Sequence, residues 1–141
     1  MEKLLLLLLS LSLLLIGCGN DNLVMGKWTL VNKEKHEIHG NLNEYVDVSS
    51  IKKEDSLVYF WTLKDYSNPT RPGIFSRKIL IELSCRAPVK MRRLSGTYYK
   101  GPMGTGEEFD IPSNVLIWEK WTYQQDNPTV EFVCNKAKFK F

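Results

Sequence analysis

The sequence predicts an α+β domain: an antiparallel β-sheet of about six strands with one C-terminal helix packed on a face, the two tied by a disulfide. Three observations carry this reading. Between Arg77 and Ala87, Ile79, Ile81, Leu83 and Cys85 alternate with Lys78, Leu80, Glu82, Ser84 and Arg86, the two-residue period of a half-buried strand. After Asp126 the period changes, and Val130, Val133, Cys134 and Ala137 fall at i, i+3, i+4 and i+7, the apolar stripe of a helix. Each pattern carries one cysteine toward the core, Cys85 on the strand and Cys134 on the helix.

The remaining elements follow in chain order. Trp28-Thr29-Leu30-Val31 and Glu44 to Val48 read as strands, and Ser49 to Asp55 as a turn. Ser56 to Lys64 is a strand with Leu57, Tyr59, Trp61 and Leu63 on one face and Val58 and Phe60 on the other, so both faces should be partly covered. Tyr66 to Gly73 holds Pro69, Pro72 and Gly73 and must be a loop. Pro88 ends the alternating strand, Lys90 to Lys100 forms its return, Gly101 to Gly106 turns the chain, and Val115 to Gln124 is the last strand. The helix starts with Asn127 as N-cap and Pro128 at the first helical position, where its missing N–H costs nothing. The alternating Lys136-Ala137-Lys138-Phe139-Lys140-Phe141 reads as a solvated tail whose phenylalanines fold back on the domain or touch a membrane, since one such segment cannot make a barrel.

Residues 1–17 read as a lipoprotein signal peptide. Lys3 precedes an apolar run of about 13 residues, short of the roughly 20 that span a bilayer, and Leu15-Ile16-Gly17-Cys18 is a lipobox. Cys18 then becomes the acylated N-terminus, a stable anchor because more than one chain enters the bilayer. An ordinary leader with an incidental cysteine is the plainer alternative. Gly19, standing where inner-membrane retention needs Asp, favours the outer membrane. Residues 18–26 form the lipidated cysteine and a tether, and 27–141 the folded domain. Nine flexible residues reach roughly 17 Å, so the domain rides close to the membrane.

Losing Glu2 and Lys3 together leaves the formal charge at the +3 of the full chain. Mild, scattered charge of this kind argues against a nucleic-acid partner. In an oxidising compartment Cys85 and Cys134 pair by default, and a loop of about 50 residues closed this way stabilises a fold by roughly 4 kcal/mol in the chain-entropy model. Two unrelated buried thiols are the alternative.

Chemistry-bearing constellations are few. Gly101 to Gly106 is no phosphate cradle, because no helix follows and Glu107 and Glu108 repel anions. His36 and His39 lack a third ligand, so no metal or cofactor is expected, and what they bind is left open. No catalytic nucleophile with an adjacent base is apparent, and the chain is read as no enzyme. A sheet covered by one helix leaves a face partly open, and Tyr98 and Tyr99 beside Lys90, Arg92, Arg93 and Lys100 would there make a basic aromatic surface suited to protein recognition. Tyr98 and Tyr99 point to opposite faces if their strand is regular.

The order of motifs completes the reading: Tyr45-Val46-Asp47, Ser50-Ile51, Val58 to Tyr66, Ser76-Arg77-Lys78, Glu82-Leu83-Ser84-Cys85, Arg92-Arg93-Leu94-Ser95, Tyr98, Met103-Gly104, Trp118 and Cys134. Over about residues 26 to 135 this resembles the surface-adhesin protein E family of small outer-membrane lipoproteins. The family departs from this chain at Asp126-Asn127-Pro128-Thr129, where Pro-Gly-Ser is usual, and in lacking the Lys/Phe tail. The resemblance implies an antiparallel sheet, a C-terminal helix and a cysteine pair joining them. It also implies a surface adhesin that binds host or extracellular-matrix proteins and is held to the membrane by its lipid anchor. The alternative function is a periplasm-facing lipoprotein that binds a cell-wall component or inhibits a cell-wall enzyme. Free sheet edges leave room for a homodimer.

Overall fold

The computed structural model describes residues 26–70, 73–112, 118–120 and 127–139. Eight strands, β1 (Trp28–His36), β2 (Gly40–Asp47), β3 (Lys52–Glu54), β4 (Leu57–Tyr66), β5 (Ser76–Ser84), β6 (Lys90–Tyr99), β7 (Glu108–Asp110) and β8 (Trp118–Lys120), precede one helix, α1 (Pro128–Lys136). All ladders are antiparallel, in the order β1-β2-β4-β5-β6-β7. β3 continues the line of β2 along β4, and β8 continues that of β7 along β6, so the sheet is six strands wide. The sheet-plus-helix fold expected from the two periodicities is the one observed.

The stretch expected as a turn before β4 contains a strand as well. Asp47 accepts a hydrogen bond from Ser49 N and starts a single 3-10 turn at Val48–Ser50. Ser50 Oγ then accepts from Trp61 N at 2.9 Å, which pins this turn on β4 and delivers Lys52–Glu54 alongside it in extended form. Of the last expected strand, Trp118–Lys120 is described and pairs with β6; the rest of Val115 to Gln124 lies outside the described residues. β7 is too short to leave an alternation in the sequence.

Register places Val46, Val58, Phe60, Ile79, Ile81 and Leu83 on one face, where they form the core with Cys85, Val89, Ile111, Val133 and Cys134. α1 packs here. Its N-cap is Asn127, whose side chain accepts from Thr129 N and Val130 N, and its predicted stripe is the buried side, with Val133 and Cys134 fully enclosed. Cys85 and Cys134 form the disulfide, their Cα atoms 5.8 Å apart, just past the end of β5. Gly96 lets the chain after β7 come close: a Cβ there would meet Ile111 Cδ1 at 2.6 Å. Beyond α1, Phe139 folds back against the core, as the tail was expected to do, and Lys53 Nζ stands 4.0 Å above its ring. No described helix is long and apolar enough to cross a membrane.

The opposite face carries Tyr45, Leu57, Tyr59, Trp61 and Leu80, all half-buried, and no described helix. Its far end is covered by the Gly101–Gly106 turn. Ser76 Oγ donates to Gly101 O at 2.6 Å and accepts from Gly104 N at 2.9 Å, while Asp65 accepts from Met103 N at 2.7 Å, and Leu63 is fully buried.

Candidate functional site: a polar cleft beside the helix

Two β-bulges decide which side chains stand beside α1. In β1 the register shifts between Leu30 and Asn32, leaving Val31 as an extra residue. In β6 it shifts opposite Leu80 and Ile81, with Leu94 as the extra residue between Arg93 and Ser95. A bulge inverts the alternation beyond it. Asn32 and Glu34 are thereby turned to the helix-bearing face, and Arg93 comes to share that face with Tyr98, which strict alternation forbids.

The result is a cleft that runs from the first turn of α1 along the uncovered part of this face. The end beside the helix is a cavity of about 230 Å³ lined by Asn32, Glu44, Arg93 and Thr129 among others. The end beneath the β1–β2 turn, about 440 Å³, is lined by His36, His39, Tyr66, Thr70 and Tyr98. Glu34, Lys64 and Arg77 border both, so the two cavities adjoin along one groove wall. Lys64 Nζ lies 3.7 Å from Glu44 Oε1, and His36 Nε2 lies 3.2 Å from Glu34 Oε2. The Arg77 guanidinium is 6.0 Å from the Tyr66 ring centre, a loose cation–π contact. Burial pushes the Tyr66 phenol above its ordinary range, with the Arg77 charge acting the other way.

Three buried polar atoms in this groove, Arg77 Nε, His39 Nδ1 and Thr129 Oγ1, have no hydrogen-bond partner. Such atoms are costly to leave unmet, at about 1–3 kcal/mol each, and they are where a polar ligand gains most. The groove thus offers unmet polar atoms beside the Tyr66 and Tyr98 side chains. Among the described residues no group of three or more His, Cys, Asp and Glu side chains is placed to hold a metal.

The residues singled out from sequence are distributed over two faces. Arg93 and Tyr98 line the cleft, on the side of Ile79 and Ile81. Lys90, Arg92 and Tyr99 belong to the opposite face, where Arg92 Nη2 is 2.8 Å from Glu82 Oε2 and Lys78 Nζ is 5.2 Å from the Tyr99 ring centre. Lys100 follows the end of β6, its Nζ 2.6 Å from Glu107 Oε2. The six are therefore not one surface; plain alternation separates Arg92 from Arg93, and the Leu94 bulge parts Tyr98 from Arg92 and unites it with Arg93. His36 and His39 have ring centres 6.4 Å apart at the β1–β2 turn. Cys18 lies outside the described residues. Lys64, Tyr66, Arg77 and Thr129 carry no sequence signal that marks them as site residues, because only their placement between the helix and the bulged strands makes them so.

Among the described residues, a six-strand-wide antiparallel sheet stapled to a C-terminal helix makes this a small disulfide-tied α+β domain. Residues 28–135 match the family described as surface-adhesin protein E, and the chain belongs to it. Two solved structures of Haemophilus influenzae protein E share the fold. Crystal form II has 18% identity and a TM-score of 0.51, over 67% of this chain and 83% of that one. The selenomethionine form has 16% identity and a TM-score of 0.52, over 73% and 85%. No curated protein matches the chain.

Proposed function

We propose that this chain is a non-enzymatic outer-membrane lipoprotein, anchored through acylated Cys18, that acts as a surface adhesin for a protein ligand of the extracellular-matrix glycoprotein class. The observation that carries this is membership of the surface-adhesin protein E family over residues 28–135. The cleft is the recognition site. Its His36–His39 end lies at the far end of β1 from Trp28, about 25–30 Å from where the chain enters the sheet, and so faces away from the anchor. Ile38, 79% exposed at the tip of the β1–β2 turn, offers an apolar contact next to it. Tyr66, Arg77 and Tyr98 supply the aromatic and arginine contacts that dominate protein interfaces, whereas Lys90, Arg92, Tyr99 and Lys100 lie outside the cleft, where the three bases contribute steering charge.

Immobilised matrix glycoproteins test the site. Arg77→Gln keeps a polar side chain and removes the charge, and its binding should fall tenfold or more, a loss of about 1.4 kcal/mol. Equal binding by wild type and variant, both folded by circular dichroism, removes the cleft from the reading. Protease shaving of intact cells tests the location: a domain that resists shaving faces the periplasm, which returns the envelope-binding alternative. For the anchor, labelled palmitate should enter the wild-type protein and be absent from Cys18→Ser.

A further inference from the structure

We infer that the end of the domain from which the tether leaves is a second interaction surface, a basic patch that lies on the phosphate-bearing headgroups of the bilayer its own anchor enters. Trp28 pairs with Asp47, and Lys27 O accepts from Val48 N at 3.1 Å, so the chain enters the sheet past the end of β2, where β3 takes over the edge of β4. α1 points its C-terminus to the same end, since Cys134 is bonded to Cys85 just beyond β5 and Phe139 folds back beneath Lys53. Four separate stretches of chain thereby bring Lys27, Lys52, Lys53, Arg86, Lys136 and Lys138 to this end, and all six are exposed.

The charge is unevenly held. Asp47, Glu54 and Asp55 are the acidic residues among these stretches; Lys52 pairs with Glu54, and Asp47 accepts from Ser49 N. Six bases against three acids leave these stretches an excess of +3, and exposed Lys90, paired with Ser84 at the end of β5, adds one more base at this end.

Distance makes that charge effective. Seven residues, eight Cα-to-Cα steps, separate Cys18 from Gly26, a span of at most about 29 Å when fully extended. A lipid on Cys18 therefore keeps this end within reach of the bilayer, and each basic side chain that comes within about 8 Å of an anionic surface gains about fivefold in partition. Docking of this patch directs the cleft outward. The inference rests on the lipoprotein reading for its place in the cell, and its chemistry is testable without the lipid.

The protein for the test is the chain from residue 18 onward with Cys18→Ser, presented to vesicles of phosphatidylcholine with and without phosphatidylglycerol at about 0.1 M salt. It should sediment with the anionic vesicles and not with the neutral ones. The triple variant Lys53→Gln, Lys136→Gln, Lys138→Gln should lose tenfold or more in partition, whereas Lys33→Gln, Lys35→Gln, Lys100→Gln, which removes the same charge from the opposite end, should lose less than about threefold. Circular dichroism and an intact disulfide establish that each variant is folded. Equal losses by the two triples, or no preference for anionic vesicles, overturn the proposal. A failure of acylation shows instead in palmitate labelling, which these vesicles do not read.

Discussion

Ser76 shows how much one small side chain holds. Fully buried, its hydroxyl donates to Gly101 O and accepts from Gly104 N, joining β5 to a turn 25 residues away in sequence. With Asp65 on Met103 N, it folds the turn over Leu63 and closes one end of the sheet. Ser76→Ala removes the hydroxyl and leaves its two backbone partners, Gly101 O and Gly104 N, unmet, and it should lower stability by about 1–3 kcal/mol in urea unfolding. Amide exchange at Gly104 should accelerate with it; unchanged protection there means that Asp65 alone holds the turn. Arg77, next in the chain, faces the other way because strand residues alternate, and its unmet Nε is in the cleft. Neighbours in sequence thus serve structure and recognition separately.

At the scale of elements, α1 is the part the sequence describes best and the part that shapes the cleft. Nine residues are too few for an isolated helix to persist in water, so its order depends on the cap, the stripe and the disulfide. Asn127 Oδ1 accepts from Thr129 N at 3.1 Å and Val130 N at 3.2 Å, and these two residues line the cleft. Asn127→Ala should therefore cost about 1 kcal/mol, within the 0.5–2 kcal/mol range of lost caps, seen as a lower thermal midpoint. Chemical shifts of Thr129 and Val130 should move in the same variant; a destabilised protein with those shifts unchanged would detach the cap from the cleft. The bulged strands supply the opposite wall. Val31 packs against the core, so its inserted residue is retained by burial while Asn32 and Glu34 beyond it turn toward the groove.

Across the whole molecule, the disulfide joins the centre of the sheet to the last element of the chain. Cys85 and Cys134 are 49 residues apart, and closing a loop of that length removes about 4 kcal/mol of unfolded-state entropy in the chain-entropy model. That is a large share of the about 5–15 kcal/mol by which domains are stable. Cys85→Ala with Cys134→Ala should move the urea midpoint down by a corresponding amount, and α1 should lose protection from exchange before the sheet does. A double variant as stable as wild type would mean that α1 is held by its apolar stripe alone. The same staple fixes the direction of α1, with its N-terminus at the cleft and its C-terminus at the tethered end.

The fold class, the helix with its cap, and the pairing of the two cysteines were legible in the sequence, because burial imposes a period on strand and helix and an exported chain oxidises its thiols. Motif order along residues 28–135 made the family legible for the same reason, since spacing between elements is a sequence property. The surface was not. Six residues of one return strand read as a single basic patch, yet Arg92 pairs with Glu82 on one face while the Leu94 bulge brings Tyr98 to the other face beside Arg93. Lys64 and Arg77 gave no signal, because what makes them site residues is a helix arriving more than 40 residues later in the chain. One sequence period determines which residues are buried; which exposed residues meet is decided by bulges and by the packing of α1, and neither leaves a mark in the alternation of apolar side chains.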